Sequence, residues 1–131
     1  EREMLPLCAD EGIAVIPWSP LARGRLTRDW DAGSAREGSD AFGRNLYAKS
    51  TEADRQVAEA VARIANARGV PRAQIALAWV MGKLEITAPI IGASKPEHLS
   101  DAVAALAIAL SAEERTELEA AYIPHDIAGF E

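Results

Sequence analysis

Apolar residues in this chain fall into two patterns: short continuous runs, and longer stretches in which they recur every three or four positions. Ile13 to Pro17 is a continuous run with no polar alternation, as in a strand of a parallel sheet covered on both faces. Ile86 to Ile91 is a second run, in which Pro89 limits how much can pair. Ahead of the first run, Met4, Leu5, Leu7 and Cys8 form the apolar side of a short helix within Glu1 to Glu11, confined by Pro6 and stopped by Gly12. Thr51 is expected to cap a helix carrying Val57, Val61, Ile64 and Ala65 at helical spacing, with Glu52 and Asp54 at its positive end and Gly69 closing it. Pro71 suits the first turn of the next helix, whose stripe is Ile75, Ala76, Trp79 and Val80. Two capping boxes follow. Ser94-Lys-Pro-Glu97 predicts a helix to about Leu106, and Ser111-Ala-Glu-Glu114 predicts a last one through Leu118 and Ala121. From Trp18 to Ser50 no period holds, and a loop of that length is expected to be functional or disordered.

Alternation of runs and helices points to an α/β fold with parallel strands. Two strands that are apolar on both faces need neighbours on each side, and this chain offers no other convincing strand. The expectation is therefore one segment, residues 1–131, of a single larger domain whose other strands lie elsewhere. A first residue of Glu fits an excerpt, a processed product or a truncated gene product. The composition, 131 residues and 49% hydrophobic, suits one domain with a core. The run Ala102 to Ala112 is too short to cross a bilayer. A net charge of −6 argues against nucleic-acid and anionic-membrane partners, which need a broad basic face. The single cysteine, Cys8, leaves no internal disulfide, fits a reducing, cytoplasmic setting and reads as a core residue.

Candidate chemistry lies directly after the two runs. In Trp18-Ser-Pro-Leu-Ala-Arg-Gly-Arg-Leu26 an aromatic ring, a hydroxyl and a turn proline precede Arg23, Arg25 and Arg28, with no acid among those arginines. Such a cluster is either a solvated loop or an anion cradle. In Ile90-Ile-Gly-Ala-Ser-Lys-Pro-Glu-His-Leu99, Gly92 permits close backbone approach while the amides at Ala93, Ser94 and Lys95 open a helix. That motif reads either as an anion site or simply as a well-capped helix. Two phosphate-style loops after two strands suit one large phosphorylated ligand, as after the last strands of a (β/α)8 barrel. Trp30 is a candidate for lining a substrate pocket, and Trp79 and Met81 read as core. His125 has no partner at metal or triad spacing, so no metal site is expected.

These motifs, together with Gly69-Val-Pro-Arg-Ala-Gln-Ile-Ala-Leu-Ala-Trp79, resemble the aldo-keto reductases, in particular the branch holding the potassium-channel β subunits and many bacterial reductases. The resemblance spans nearly the whole chain. It implies a (β/α)8 TIM barrel of which this is the C-terminal third, and NADPH-dependent reduction of a small aldehyde or ketone. By the same resemblance, Trp18 stacks on the nicotinamide, and Ser19, Pro20, Leu21, Ala22 and Gly24 wrap the pyrophosphate. Arg23 joins them at a position where the family varies, Arg28 clasps the cofactor across a one-residue gap, and Arg44 is a second clasp. Gly92, Ser94 and His98 match the grip on the adenosine 2′-phosphate, and Asp101 matches an acid that holds adenine. The sequence departs from the family where His98 replaces Arg or Gln and where Ala102 replaces Asn. In the family a tyrosine, tuned by a lysine and helped by a histidine and an aspartate, supplies the proton, and all four come from earlier strands. Neither Tyr47 nor Tyr122 ends a strand beside a suitable lysine, so no catalytic residue is expected in this chain. The alternative is a non-catalytic nucleotide-sensing or interaction subunit like the channel-associated relatives.

Overall fold

The computed structural model describes residues 2–32, 47 and 51–124. Helix α1 (Met4–Asp10) carries Pro6 in its first turn, where a missing N–H is tolerated. Gly12, at φ +65°, ends it in the left-handed region, and the Ile13 amide donates back to the Cys8 carbonyl at 2.8 Å. Helices α2 (Thr51–Arg68) and α3 (Arg72–Met81) meet through a similar turn, with Gly69 at φ +65° and the Val70 amide on the Ala65 carbonyl at 3.0 Å. Helix α4 (Pro96–Ala104) runs on into a tight turn at Ala105–Ala107, and α5 (Ala112–Ala120) follows.

Two expected helix starts are placed differently. Thr51 is not a cap: Tyr47 upstream is itself helical, and the Thr51 hydroxyl donates to its carbonyl one turn back at 3.3 Å. The box at Ser94 and Glu97 does not form, because Pro96 occupies the first position of α4 and holds the residue before it extended. Lys95, at φ −141° and ψ 150°, therefore becomes the capping residue, which leaves Glu97 one position short of the reach a box needs. The box at Ser111 and Glu114 does form, with both reciprocal bonds in place.

The core lies between helices rather than under a sheet. Ala60, Val61, Ile64 and Ala65 of α2 pack with Ile75 and Ala78 of α3 and with Leu110 and Leu118, flanked by Leu26, Val70, Trp79 and Ile108. Of the predicted stripes, Val61, Ile64 and Ala65 of α2, Ile75 and Ala76 of α3 and Leu118 are buried, whereas Val57, Trp79, Val80 and Ala121 are only half-buried and α3 also buries Gln74, Leu77 and Ala78. Met81 and Cys8, expected in the core, are half-buried too, Cys8 as a free thiol.

The two apolar runs do pair, in parallel, but only through isolated bridges between Val15 and Ile86 and between Trp18 and Ile90. No strand in the full sense occurs among the described residues. The pairing advances three residues on one side, from 15 to 18, against four on the other, from 86 to 90, so no continuous ladder forms. Pro17 and Pro89 contribute no amide, and Val15 gives its N–H to the Thr87 hydroxyl at 3.1 Å instead of to a carbonyl. Ile13, Ile16 and Ile90 are 56%, 58% and 52% exposed, so the expectation of strands buried on both faces does not hold for this chain's own contacts.

Candidate functional site

The bridged pair brings the mouths of both loops together. Ile90 donates to the Pro17 carbonyl at 2.8 Å and Trp18 lies opposite Ile90, so the segments from Ser19 and from Ile91 leave the same end of a parallel pair. Trp18 stands at that mouth with its side chain largely open, at 58% exposure.

The first loop is a tight, strained structure. Ser19, Ala22 and Arg23 all take left-handed backbone, at φ 55°, 47° and 57°, where L side chains are disfavoured. Turn bonds hold these residues: Ala22 donates to Ser19 and Gly24 to Leu21, both at 2.9 Å, and the Thr27 hydroxyl donates to the Gly24 carbonyl at 3.0 Å. Gly24 is favoured here because its φ is +92°, which L side chains rarely adopt; a Cβ would also stand 3.0 Å from a terminal nitrogen of Arg28.

Further along, side chains tie the loop to the helices. Leu26 reaches the core, Asp29 accepts from Arg72 of α3, and Asp31 lies 3.9 Å from Arg55 of α2. Arg25 sits between two rings, 5.4 Å from the Trp30 centroid and 4.6 Å from that of Tyr47. Trp30, a pocket candidate by its place in the sequence, is thus engaged by an arginine of its own loop.

The second loop is open. Gly92 has no left-handed backbone, and a Cβ there would meet nothing within 4 Å, so packing within the described chain does not explain the glycine. Ser94 and His98 are exposed and face each other at 3.5 Å between Oγ and Nδ1. Asp101, one turn beyond His98, is half-buried and accepts at Oδ1 from the Gln74 side-chain amide at 2.9 Å. Sequence reasoning missed both Gln74 and the Arg25 stack. A polar residue inside the otherwise apolar buried run Gln74 to Ala78 was a readable signal; the stack was not, because Tyr47 and Arg25 are far apart in sequence.

A separate apolar cavity of about 670 Å³ opens between α1, α2, α3 and α5, lined among others by Met4, Val57, Val80 and Leu118. Of the predicted site residues only Pro20 reaches it. At its edge Glu119 accepts from both the Trp79 indole and Lys83 at 3.0 Å, and these bonds hold its carboxyl below the usual carboxylate range. No group of three or more potential metal ligands occurs among the described residues. No helix there is long and apolar enough to cross a membrane. Arg44 and His125 lie outside the described residues.

Comparison with known proteins gives a family match over residues 1–123, to the aldo/keto reductase family. Versiconal hemiacetal acetate reductase of Aspergillus parasiticus is 38% identical over 97% of this chain and 37% of its own length. Norsolorinic acid reductase B of the same species is 38% identical over 93% of the chain and 32% of its own length. An aldo-keto reductase of Metarhizium robertsii is 39% identical over 98% and 35% respectively. The chain therefore spans about a third of the length of the curated relatives it matches.

Proposed function

The chain belongs to the aldo/keto reductase family, and from that premise we propose that it is the C-terminal part of a (β/α)8 barrel and supplies the cofactor loops of an NADPH-dependent carbonyl reductase. The reading is carried by the parallel pairing of Trp18 with Ile90, which has both loop mouths opening at one end. The exposed ring of Trp18, the sterically unexplained Gly92 and the half-buried arginines of the first loop fit an elongated anionic ligand with a flat ring at one end.

When bound, the nicotinamide supplies a hydride to a carbonyl carbon. This chain's residues bind and orient. Trp18 offers a flat face that fixes which side of the ring meets the substrate, and Ser19 to Gly24 hold a preformed turn around the pyrophosphate, with Arg23 and Arg28 as its charges. Gly92, Ser94 and His98 take the 2′-phosphate, and Asp101 takes the adenine. His98 in place of the family's Arg or Gln, and Ala102 in place of Asn, make that grip weaker than usual. The proton comes from groups outside this chain: Tyr47 is stacked under Arg25, and Tyr122 is exposed after α5. A reducing, cytoplasmic setting belongs to the same reading, with Cys8 as its free thiol.

The test is NADPH titration and aldehyde-dependent NADPH oxidation by the intact protein. Binding with turnover is expected, and Trp18→Ala is expected to weaken binding about fivefold, since a lost stacking contact is worth roughly 1 kcal/mol. Folded protein that neither binds NADPH nor turns over carbonyls overturns the proposal. Binding without turnover assigns instead the non-catalytic, nucleotide-sensing role.

A further inference from the structure

Gln74 is the one polar residue among the buried side chains of the described residues, 8% exposed within the run Gln74, Ile75, Ala76, Leu77 and Ala78. Burying a carboxamide there is unfavourable unless its hydrogen bonds are met, so its presence in an apolar stripe requires a partner. That partner is the carboxylate of Asp101, reached across 27 positions of sequence at 2.9 Å. The bond engages only Oδ1, and Oδ2 takes no hydrogen bond among the described residues. Asp101 is half-buried, one turn beyond His98 on α4, and His98 in turn faces Ser94.

We propose that Gln74 is a positioning residue for adenine recognition: its amide fixes the Asp101 carboxylate so that Oδ2 points outward as an acceptor for the exocyclic amino group of adenine. This rests on the reading that Asp101 lies at the adenine end of the cofactor. Aspartate is short, and an unrestrained carboxylate rotates among rotamers; a hydrogen bond from a rigid helix removes that freedom before the ligand arrives. The device also suits this sequence, in which Ala102 offers no side-chain amide beside the base.

A purely structural tether between α3 and α4 would alter stability and bind all dinucleotides alike. A positioning role predicts discrimination by base. Dissociation constants of the intact protein are to be measured for NADPH and for the reduced form of nicotinamide hypoxanthine dinucleotide phosphate, which carries a carbonyl in place of the amino group. The wild type is expected to prefer NADPH on the order of tenfold, the usual size of one hydrogen bond to a charged acceptor. Gln74→Met, near in volume but without the amide, is expected to bring that ratio close to one, chiefly by weakening NADPH. Gln74→Ala also lacks the donor and places no charge in the core; it is expected to lose the preference too, and decides the matter should the Met variant not fold. An unchanged ratio in a folded variant overturns the proposal, as does a wild type that binds both nucleotides equally. A wild type that binds neither overturns the cofactor reading itself, and this inference with it.

Discussion

Arg25 shows what a single residue type leaves open. Among the three arginines of the first loop it is distinguished by neither neighbour nor spacing, yet its guanidinium lies against the rings of both Trp30 and Tyr47. A guanidinium can lie flat against a ring on each side, which an ammonium cannot do as well, so lysine is a poor substitute here. The Trp30 contact braces the loop after Trp18 from within and the Tyr47 contact joins it to the segment at Tyr47, and each is worth roughly 0.5–1 kcal/mol at a partly exposed site. Arg25→Met, which retains an unbranched side chain, is expected to raise the NADPH dissociation constant several-fold in the titration above without abolishing binding; Arg25→Lys should fall between. Binding unchanged in both variants would mean that the stack does not order the loop. Trp18 was legible beforehand because its context, Pro17 to Leu21, is a sequence signal. The Tyr47 contact was invisible because it joins residues far apart in sequence.

Among the elements, helix starts were legible where one local bond decides them, and less so where neighbours compete. The α5 cap was readable outright, since Ser111 and Glu114 satisfy each other within four residues. Tertiary structure then added a second demand on the same carboxylate. Arg68 of α2 grips Glu114 at 2.5 and 2.6 Å while also donating to the Ala109 carbonyl at 2.9 Å. The Arg68 bond first, and then the Ser111 amide, hold the Glu114 carboxyl below its ordinary value of 4.5. A carboxyl depressed in the folded state stabilises fully above the unfolded value and loses that contribution as pH falls through the folded one. Glu114→Gln is therefore expected to lower the thermal midpoint at pH 7, with the gap to wild type closing in acid below about pH 4.5. Ser111→Ala, which removes only the cap, should cost about 1 kcal/mol at neutral pH. Thermal melts of the intact protein across pH check both, and a gap independent of pH would show that the ion pair contributes nothing.

At the scale of the whole chain, α2, α3 and α5 share a buried core, whereas the bridged edge buries little. Ile13, Ile16, Trp18 and Ile90 remain exposed along the bridged edge, which fits a chain spanning about a third of the length of its relatives. The division of labour proposed above, with cofactor loops here and the proton donor elsewhere, makes a sharp prediction. Tyr47→Phe and Tyr122→Phe in the intact protein should each leave kcat within about twofold, whereas loss of a general acid typically costs roughly 10²–10⁴-fold. A loss of the larger size in either variant would move the acid into this chain.

Patterning by itself determined the inward positions Val61, Ile64 and Ala65 of α2, Ile75 of α3 and Leu118 of α5, where glycine stops a helix, and that two apolar runs feed two polar loops, because these depend on side-chain periodicity and on backbone freedom within a few residues. Only the tertiary structure decided that the runs meet through two bridges with unequal advance, that Gln74 bonds Asp101 of α4, and that Arg25 lies against Tyr47. Each of those is a competition between groups distant in sequence, settled by distance and burial rather than by residue type.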